Sequence, residues 1–265
     1  MSGALPVLPP GALPAFAEAL RGEGLGPTAA FDAARYDELA RASQLSPLPH
    51  FGMPGSSRLA LVVASSRRSW SPFLRALARE AGLRDAEHPF DRWAASRIER
   101  AAARLGRRYE VRYPWERGER RLAMVRLAEL AGLGWRSPAE LLVHPELGPW
   151  LGLRAVVVVE AAPSARETVL GPSPCEGCAA PCRQALQVAL SADTEGASLR
   201  AGSAAGEGWR RWLAVRDACP VGRAWRYGEA QIGYHYTKDR RWLEHAPPVD
   251  PEARAERAPM RAPDG

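Results

Sequence analysis

The sequence predicts an α+β sandwich with a small cysteine-bearing appendage toward its C-terminal end. Two runs, Leu59-Ala60-Leu61-Val62-Val63-Ala64 and Arg154-Ala155-Val156-Val157-Val158-Val159-Glu160, have the length and apolar character of buried strands. Segments of helical periodicity separate them. Neither a Gly-rich nucleotide loop nor a regular strand–helix–strand rhythm is present, which argues against a doubly wound sheet.

The elements follow in order. Residues 1–15 are a Pro-rich lead-in, and a helix begins nearby with Phe16, Leu20 and later Tyr36 and Leu39 as its apolar markers. Pro47, Pro49 and Pro54 break that pattern before the first strand, which ends on the polar turn Ser65-Ser66-Arg67-Arg68. Pro72 suits the first turn of a helix carrying Phe73, Leu74, Leu77 and Ala78 and stopped by Gly82. A second helix from about Asp91 turns Trp93, Ile98, Ala102 and Leu105 inward and stops at Gly106. Tyr109, Val111 and Tyr113 alternate with charged residues, as in a half-buried strand. Leu122, Val125, Leu127 and Leu130 mark another helix, which runs to the turn Gly132-Leu133-Gly134. Residues 161–207 read as looser and hold three of the four cysteines, and a final aromatic and basic helix spans about Gly208 to Asp217. Residues 246–265 are rich in Pro, Ala, Arg and Asp and are expected to be disordered. The implied division is a core over 16–165, a cysteine-bearing segment with the final helix packing back on it over 166–245, and a tail.

A chain of 265 residues is long enough to bury a substantial core without disulfide staples. The net charge of +6 is almost entirely arginine, since Lys238 is the only lysine. The arginines interleave with acids, as in Arg97-Ile98-Glu99-Arg100, rather than forming a stripe, and this argues against nucleic-acid binding. No apolar run is long enough to span a membrane, and the first twenty residues lack Lys and Arg and are broken by prolines, unlike a signal peptide. A cytoplasmic location is expected, where cysteines are more often ligands or redox groups than disulfides. A lone lysine outside any Gly-rich loop excludes a P-loop, and the sequence carries no G-x-S-x-G elbow, HExxH helix or EF-hand loop. The five histidines are scattered, so hydrolytic chemistry has little support.

Cys175-x2-Cys178-x3-Cys182 with a distant Cys219-Pro220 resembles half of a two-cluster ferredoxin, in which three clustered thiolates take a fourth from a remote Cys-Pro. Three readings stay open: one 4Fe–4S cluster, a four-thiolate zinc site, or unmetallated thiols. In any metal-bound case the loop after Cys182 must return to bring Cys219 to the other three. Trp209, Trp212 and Arg216 share one helical face. That face is either a core stripe capped by an arginine or part of a pocket wall.

Three blocks carry a family resemblance. Tyr36-Asp37-Glu38-Leu39, Leu48-Pro49 and the strand from Leu59 to Ser65 continue to Phe73-Leu74. His144-Pro145-Glu146-Leu147-Gly148-Pro149-Trp150 runs on through Arg154 to Val157. Trp209-Arg210-Arg211-Trp212 leads to Arg216-Asp217-Ala218 and then Arg226-Tyr227-Gly228-Glu229-x-Gln231. Together, over roughly residues 31–240, they resemble the CblC-type cobalamin-processing family of decyanases and dealkylases. The resemblance implies a modified flavin-nitroreductase-like fold and an oxidoreductase that removes the upper axial ligand of a bound cobalamin, using a thiol such as glutathione or a flavin (FMN or FAD) as reductant. It assigns cofactor and cosubstrate contacts to Arg154, Arg216, Trp150, Gly148 and His144, with the two arginines near the thiol pocket, and it names no catalytic residue. Glu129-Leu130-Ala131-Gly132 and Leu133-Gly134-Trp135 depart from the pattern of animal members beside the corrinoid, so contacts there must differ.

A second resemblance overlaps the middle of the chain. Ala131-Gly132-Leu133-Gly134-Trp135, His144 to Trp150 and Cys175-Glu176-Gly177-Cys178 look similar to epoxyqueuosine reductase, which uses a corrinoid and iron–sulfur clusters. Its acidic D-S-A-P motif is replaced by Gly118-Glu119-Arg120-Arg121, which argues against tRNA reduction. The alternative it implies is an iron–sulfur electron-transfer protein.

Overall fold

A computed structural model describes residues 6–52, 58–163, 168, 170–192 and 208–244. Its centre is a four-stranded antiparallel sheet of order β1-β2-β6-β3: β1 (Leu25–Asp32), β2 (Leu59–Ser65), β3 (Tyr109–Arg112) and β6 (Gly152–Val159). A two-stranded ribbon, β4 (Trp135–Arg136) with β5 (Leu142–Val143), lies beside it.

The middle strands β2 and β6 are apolar on both sides because both faces are covered. Leu61 pairs with Val157 and Val62 with Val156 across the ladder. Since side chains alternate, Leu59, Leu61, Val63, Ala155, Val157 and Val159 share one face. They pack on Leu20 of α1 (Ala12–Gly22), Phe73 of α3 (Trp70–Arg79) and Phe90, Trp93 and Ile98 of α5 (Pro89–Ala103). Ala60, Val62, Ala64, Val156 and Val158 face the other way, onto Tyr36 and Ala40 of α2 (Ala33–Ala42) and Leu127 and Ala128 of α6 (Met124–Leu130). The Tyr36 hydroxyl accepts the Ala123 N–H at 2.9 Å, tying α2 to the start of α6. At one end of this layer Arg58 donates to the Asp37 carboxylate at 2.6 Å, fully buried, while the other carboxylate oxygen accepts the Leu48 N–H at 2.9 Å.

Four expectations are corrected. The helix expected from Phe16 toward Leu39 is interrupted: α1 stops at Gly22, β1 follows, and Asp32 caps α2 by accepting the Ala34 N–H at 2.9 Å. β1 is an edge strand with a register shift between Leu25 and Thr28, which is where a sheet tolerates Pro27. The helix expected to stop at Gly82 ends at Arg79, because Glu80 adopts extended backbone and Gly82 belongs to the short α4 (Ala81–Arg84). Residues 161–207 are not loose throughout, since Pro181 opens the eleven-residue α7 (Pro181–Ser191). The helix at the third resemblance block, α8 (Trp209–Asp217), is not the last. α9 (Glu229–Thr237) and α10 (Arg241–Glu244) follow, and Tyr234 of α9 enters the main core, where its hydroxyl accepts the Phe90 N–H at 3.4 Å. The boundary expected at 165/166 falls at 164–167, and that stretch and the tail 246–265 lie outside the described residues.

Candidate functional site: a thiol crevice and a basic cluster on two sides of one segment

The segment from His144 to Leu151 is built so that another loop can lie against it. His144 and Gly148 exchange backbone hydrogen bonds, each N–H donating to the other's carbonyl at 2.9 Å. The His144 ring closes the turn from inside, its Nδ1 accepting the Glu146 and Leu147 N–H groups at 3.1 and 3.2 Å. Burial lowers its pKa to about 4, so the ring is a neutral acceptor at physiological pH. Gly148 has φ +57°, and a Cβ there would overlap the Val221 carbonyl. Gly222, at φ +71°, is pressed likewise against Leu147. Two glycines back to back thus bring the residues after Cys219-Pro220 against the H-P-x-x-G turn.

On one side of this contact lies an apolar crevice. Cys175, Cys178, Cys182 and Cys219 all line it, with Pro149 and Val215 among the residues between them. Cys182 and Cys219 are buried and the other two half-buried, and all four are free thiols. Cys182 sits in the first turn of α7. Backbone N–H groups point at two of the sulfurs: Ala180 donates to the Cys178 Sγ at 3.4 Å, and Val221 donates to that of Cys219. Burial first, then the neighbouring thiols, pushes the Cys219 pKa up. Burial raises that of Cys175 too, and the other thiols add to it. Four thiolates in an apolar crevice repel one another unless a cation compensates them. The all-sulfur donor set, with N–H groups on the sulfurs, fits a soft metal centre.

Among the described residues no group of three or more Cys, His, Asp and Glu side chains is drawn together as a single-ion site.

On the other side lies a buried basic cluster. Arg216 donates to the carbonyl oxygens of Pro149 and Leu151, the latter at 3.4 Å. Arg154 donates through Nε to the Ser65 hydroxyl at 2.7 Å, pairs with Asp91 at 3.5 Å, and lies 4.6 Å over the Phe90 ring. Lys238, with left-handed backbone at the end of α9, shares the same carboxylate at 3.4 Å. Between these cations are His235 and the buried Tyr227. Burial, followed by Arg154, Lys238 and Arg216, drives the His235 pKa well below its ordinary value, so this ring is also neutral. Burial lowers the Lys238 pKa, opposed by Asp91.

The residues that the sequence singles out are therefore brought together in two groups, the four cysteines around the crevice and Arg154 with Arg216 in the basic cluster, with His144, Gly148 and Trp150 on the segment between. Trp150 is fully buried, edge-on to Tyr227 at 5.7 Å, with the Arg226 guanidinium 5.5 Å over its ring. His235, Lys238, Asp91 and Tyr227 were not singled out as site residues. The lone lysine was visible as a composition oddity, but only folding places it beside Arg154. Trp93 is fully buried and Trp70 lies in an aromatic cluster with Phe73, Phe90 and Tyr234, so these tryptophans pack the core. Arg120, where an acidic motif was sought, pairs instead with Glu110 and Glu116.

No family model and no curated protein matches the sequence. Solved structures do. The chain is similar in fold to the Caenorhabditis elegans B12-trafficking protein CblC. The TM-score is 0.62 at 15% identity, over 88% of this chain and 94% of that one. An epoxyqueuosine reductase solved with a tRNA-Tyr stem loop is similar at TM-score 0.51 and 13% identity, over 83% of this chain and 69% of that one. At such identities the likeness is one of fold: a mixed α/β architecture around a small antiparallel sheet. Among the described residues no helix is long and apolar enough to cross a membrane.

Proposed function

We propose that this chain is a corrinoid-binding redox protein of the CblC type, with a nitroreductase-like core over 16–165 and a cysteine-bearing segment over 166–245 that holds an iron–sulfur centre. The observation that carries the reading is the partition at Pro149. Pro149 lines the thiol crevice, while its carbonyl accepts a hydrogen bond from Arg216 of the basic cluster. Of the two neighbouring folds, one belongs to a B12-trafficking protein and the other to a reductase, and together they support a reading as a redox protein that handles a corrinoid.

Cys175, Cys178, Cys182 and Cys219 would hold the centre, and a 4Fe–4S cluster there would supply one-electron reducing power. The protein's own part is separate from that chemistry. The crevice excludes water with proline and valine, and the N–H groups of Ala180 and Val221 stabilise sulfur charge. Arg154, Arg216 and Lys238 carry three positive charges against the single carboxylate of Asp91, an imbalance that suits the carboxylate of a thiol cosubstrate. A flavin remains an alternative reductant, with no group of described residues assigned to it. The thiol-rich site suits a reducing, cytoplasmic setting.

The test has two arms. Protein purified without oxygen is analysed for iron, sulfide and zinc, and iron with sulfide in equal amounts is expected; zinc alone, or no metal, would remove the cluster. Cyanocobalamin is then titrated with the protein, and the corrin spectrum is expected to move to the base-off form. An unchanged spectrum at tens of micromolar protein would end the corrinoid reading and leave an electron carrier.

A further inference from the structure

We infer that Arg216 is a positioning residue for the cysteine centre: it holds the wall of the thiol crevice from behind and so fixes where the Cys219 sulfur stands. The inference rests on the centre proposed above, and it gives Arg216 a part that anion binding does not account for.

Arg216 is tied to the crevice through its side chain and its main chain. The guanidinium donates through Nη1 to the carbonyl oxygens of Pro149 and Leu151, and Pro149 lines the crevice. The Arg216 carbonyl accepts the Cys219 N–H at 3.1 Å, and Val215, the preceding residue of α8, also lines the crevice. The residues after Cys219 complete a ring. Val221 and Gly222 press on Gly148 and Leu147, the residues just before Pro149. Thus α8 delivers the fourth thiol, the chain beyond it leans on residues 147–148, and the Arg216 side chain draws 149 and 151 back to α8.

Each link constrains the next. Pro149 and Leu151 are buried, so a carbonyl that loses its donor there must shift to find another. Such a shift carries Gly148 with it, and Gly148 has no room against the Val221 carbonyl unless the loop that starts at Cys219 is displaced. A planar guanidinium holds two acceptors in one fixed geometry, which a flexible ammonium does less well. The other arginine of the cluster has no such connection: Arg154 bonds to Ser65 and pairs with Asp91, and neither of these lines the crevice. Groups that orient metal ligands without touching the metal commonly alter metal affinity by about 10–100-fold.

Protein purified without oxygen, as wild type and as Arg216→Gln, Arg216→Lys and Arg154→Gln, is mixed with excess chelator, and the bleaching of the iron–sulfur absorption is timed. Arg216→Gln is expected to lose the centre about tenfold faster or more, Arg216→Lys to fall between it and wild type, and Arg154→Gln to stay within about twofold of wild type. Urea unfolding of the metal-free forms checks the fold. The Arg216→Gln midpoint should match that of Arg154→Gln, and a much lower one assigns the loss to unfolding and overturns the positioning role. Equal loss from wild type and Arg216→Gln, or an equal acceleration in Arg154→Gln, overturns it too. Should Arg216→Gln not fold, Arg216→Lys decides, and loss at the wild-type rate is the negative result. A preparation without iron fails the cluster reading instead. Cobalt(II), whose thiolate absorption reports on the sulfurs, is then titrated into the metal-free forms, and the same order of affinities is expected. A chain that takes up neither metal overturns both.

Discussion

The central sheet and the cysteine region are stabilised by different means. β2 and β6 are sealed on both faces by Leu, Ile, Val, Phe and Trp side chains, each worth roughly 1.5–3 kcal/mol when fully buried. The cluster around the cysteines has Ala139, Cys182, Ala189 and Val215 as its buried members. Two alanines, a valine and a thiol supply little transfer energy, so this region leans on partly buried neighbours such as Leu141, Leu186 and Trp212. The metal centre proposed there would add to it, since a four-thiolate site offers about 10–16 kcal/mol in small domains. The contrast is between a scaffold sealed by its own apolar side chains and a region with a far smaller core.

The largest expected effect is on the scaffold. Asp37→Ala removes the carboxylate partner of the buried Arg58 and of the Leu48 N–H, and should cost about 3–5 kcal/mol. Urea unfolding followed by circular dichroism measures this; a loss under 1 kcal/mol would mean that the pair is not a structural element of the core.

Next is the joint between the regions, through pH. The folded pKa of His144, about 4, lies below its ordinary value of 6.5, so between these limits the unfolded chain binds more protons. The contribution is complete above about pH 6.5 and is lost as pH falls toward 4, up to about 3 kcal/mol in all. Urea midpoints at pH 7 and pH 4.5 should show the fall, and His144→Asn should flatten it. An equal slope in both proteins would assign the acid sensitivity elsewhere.

A third test strikes the same joint sterically. Gly148→Ala combines a positive φ with overlap of the Val221 carbonyl and should cost about 1–3 kcal/mol, while also lowering metal content because Cys219 must move. Lost stability with full metal content would show that the two sides of the segment are uncoupled. The smallest effect on the scaffold is expected from Cys219→Ser. Metal content should fall severalfold, yet the main unfolding midpoint should stay within about 1 kcal/mol of a metal-free wild type. A collapse of the whole fold would erase the distinction between the two regions.

The same distinction explains what was legible in sequence. β2 and β6 announced themselves because strands buried on both faces must be apolar throughout, and α5 did so through the inward spacing of Trp93, Ile98, Ala102 and Leu105. β1, with Leu25-Gly26-Pro27-Thr28-Ala29-Ala30, has almost no strand propensity and exists because β2 offers it an edge. α9 carries Gly233, Tyr234, Tyr236 and Thr237, poor helix formers held by packing of Ile232 and Tyr234. At the site, the cysteine spacing and the H-P-x-x-G turn were readable as patterns. The association of Lys238, His235 and Asp91 was not, since these residues come from distant segments and no local period connects them.

The back-to-back glycines have a consequence for how the chain can change over time. Gly148 and Gly222 lie in segments far apart in sequence, yet each occupies the room that a side chain on the other's segment would need. A side chain at either position must push the other segment aside, and with it the fourth thiol or the Pro149 carbonyl. The two sites therefore inherit a shared register: a lineage that keeps one geometry keeps the other, and a lineage that discards its cysteines gains freedom in both loops together.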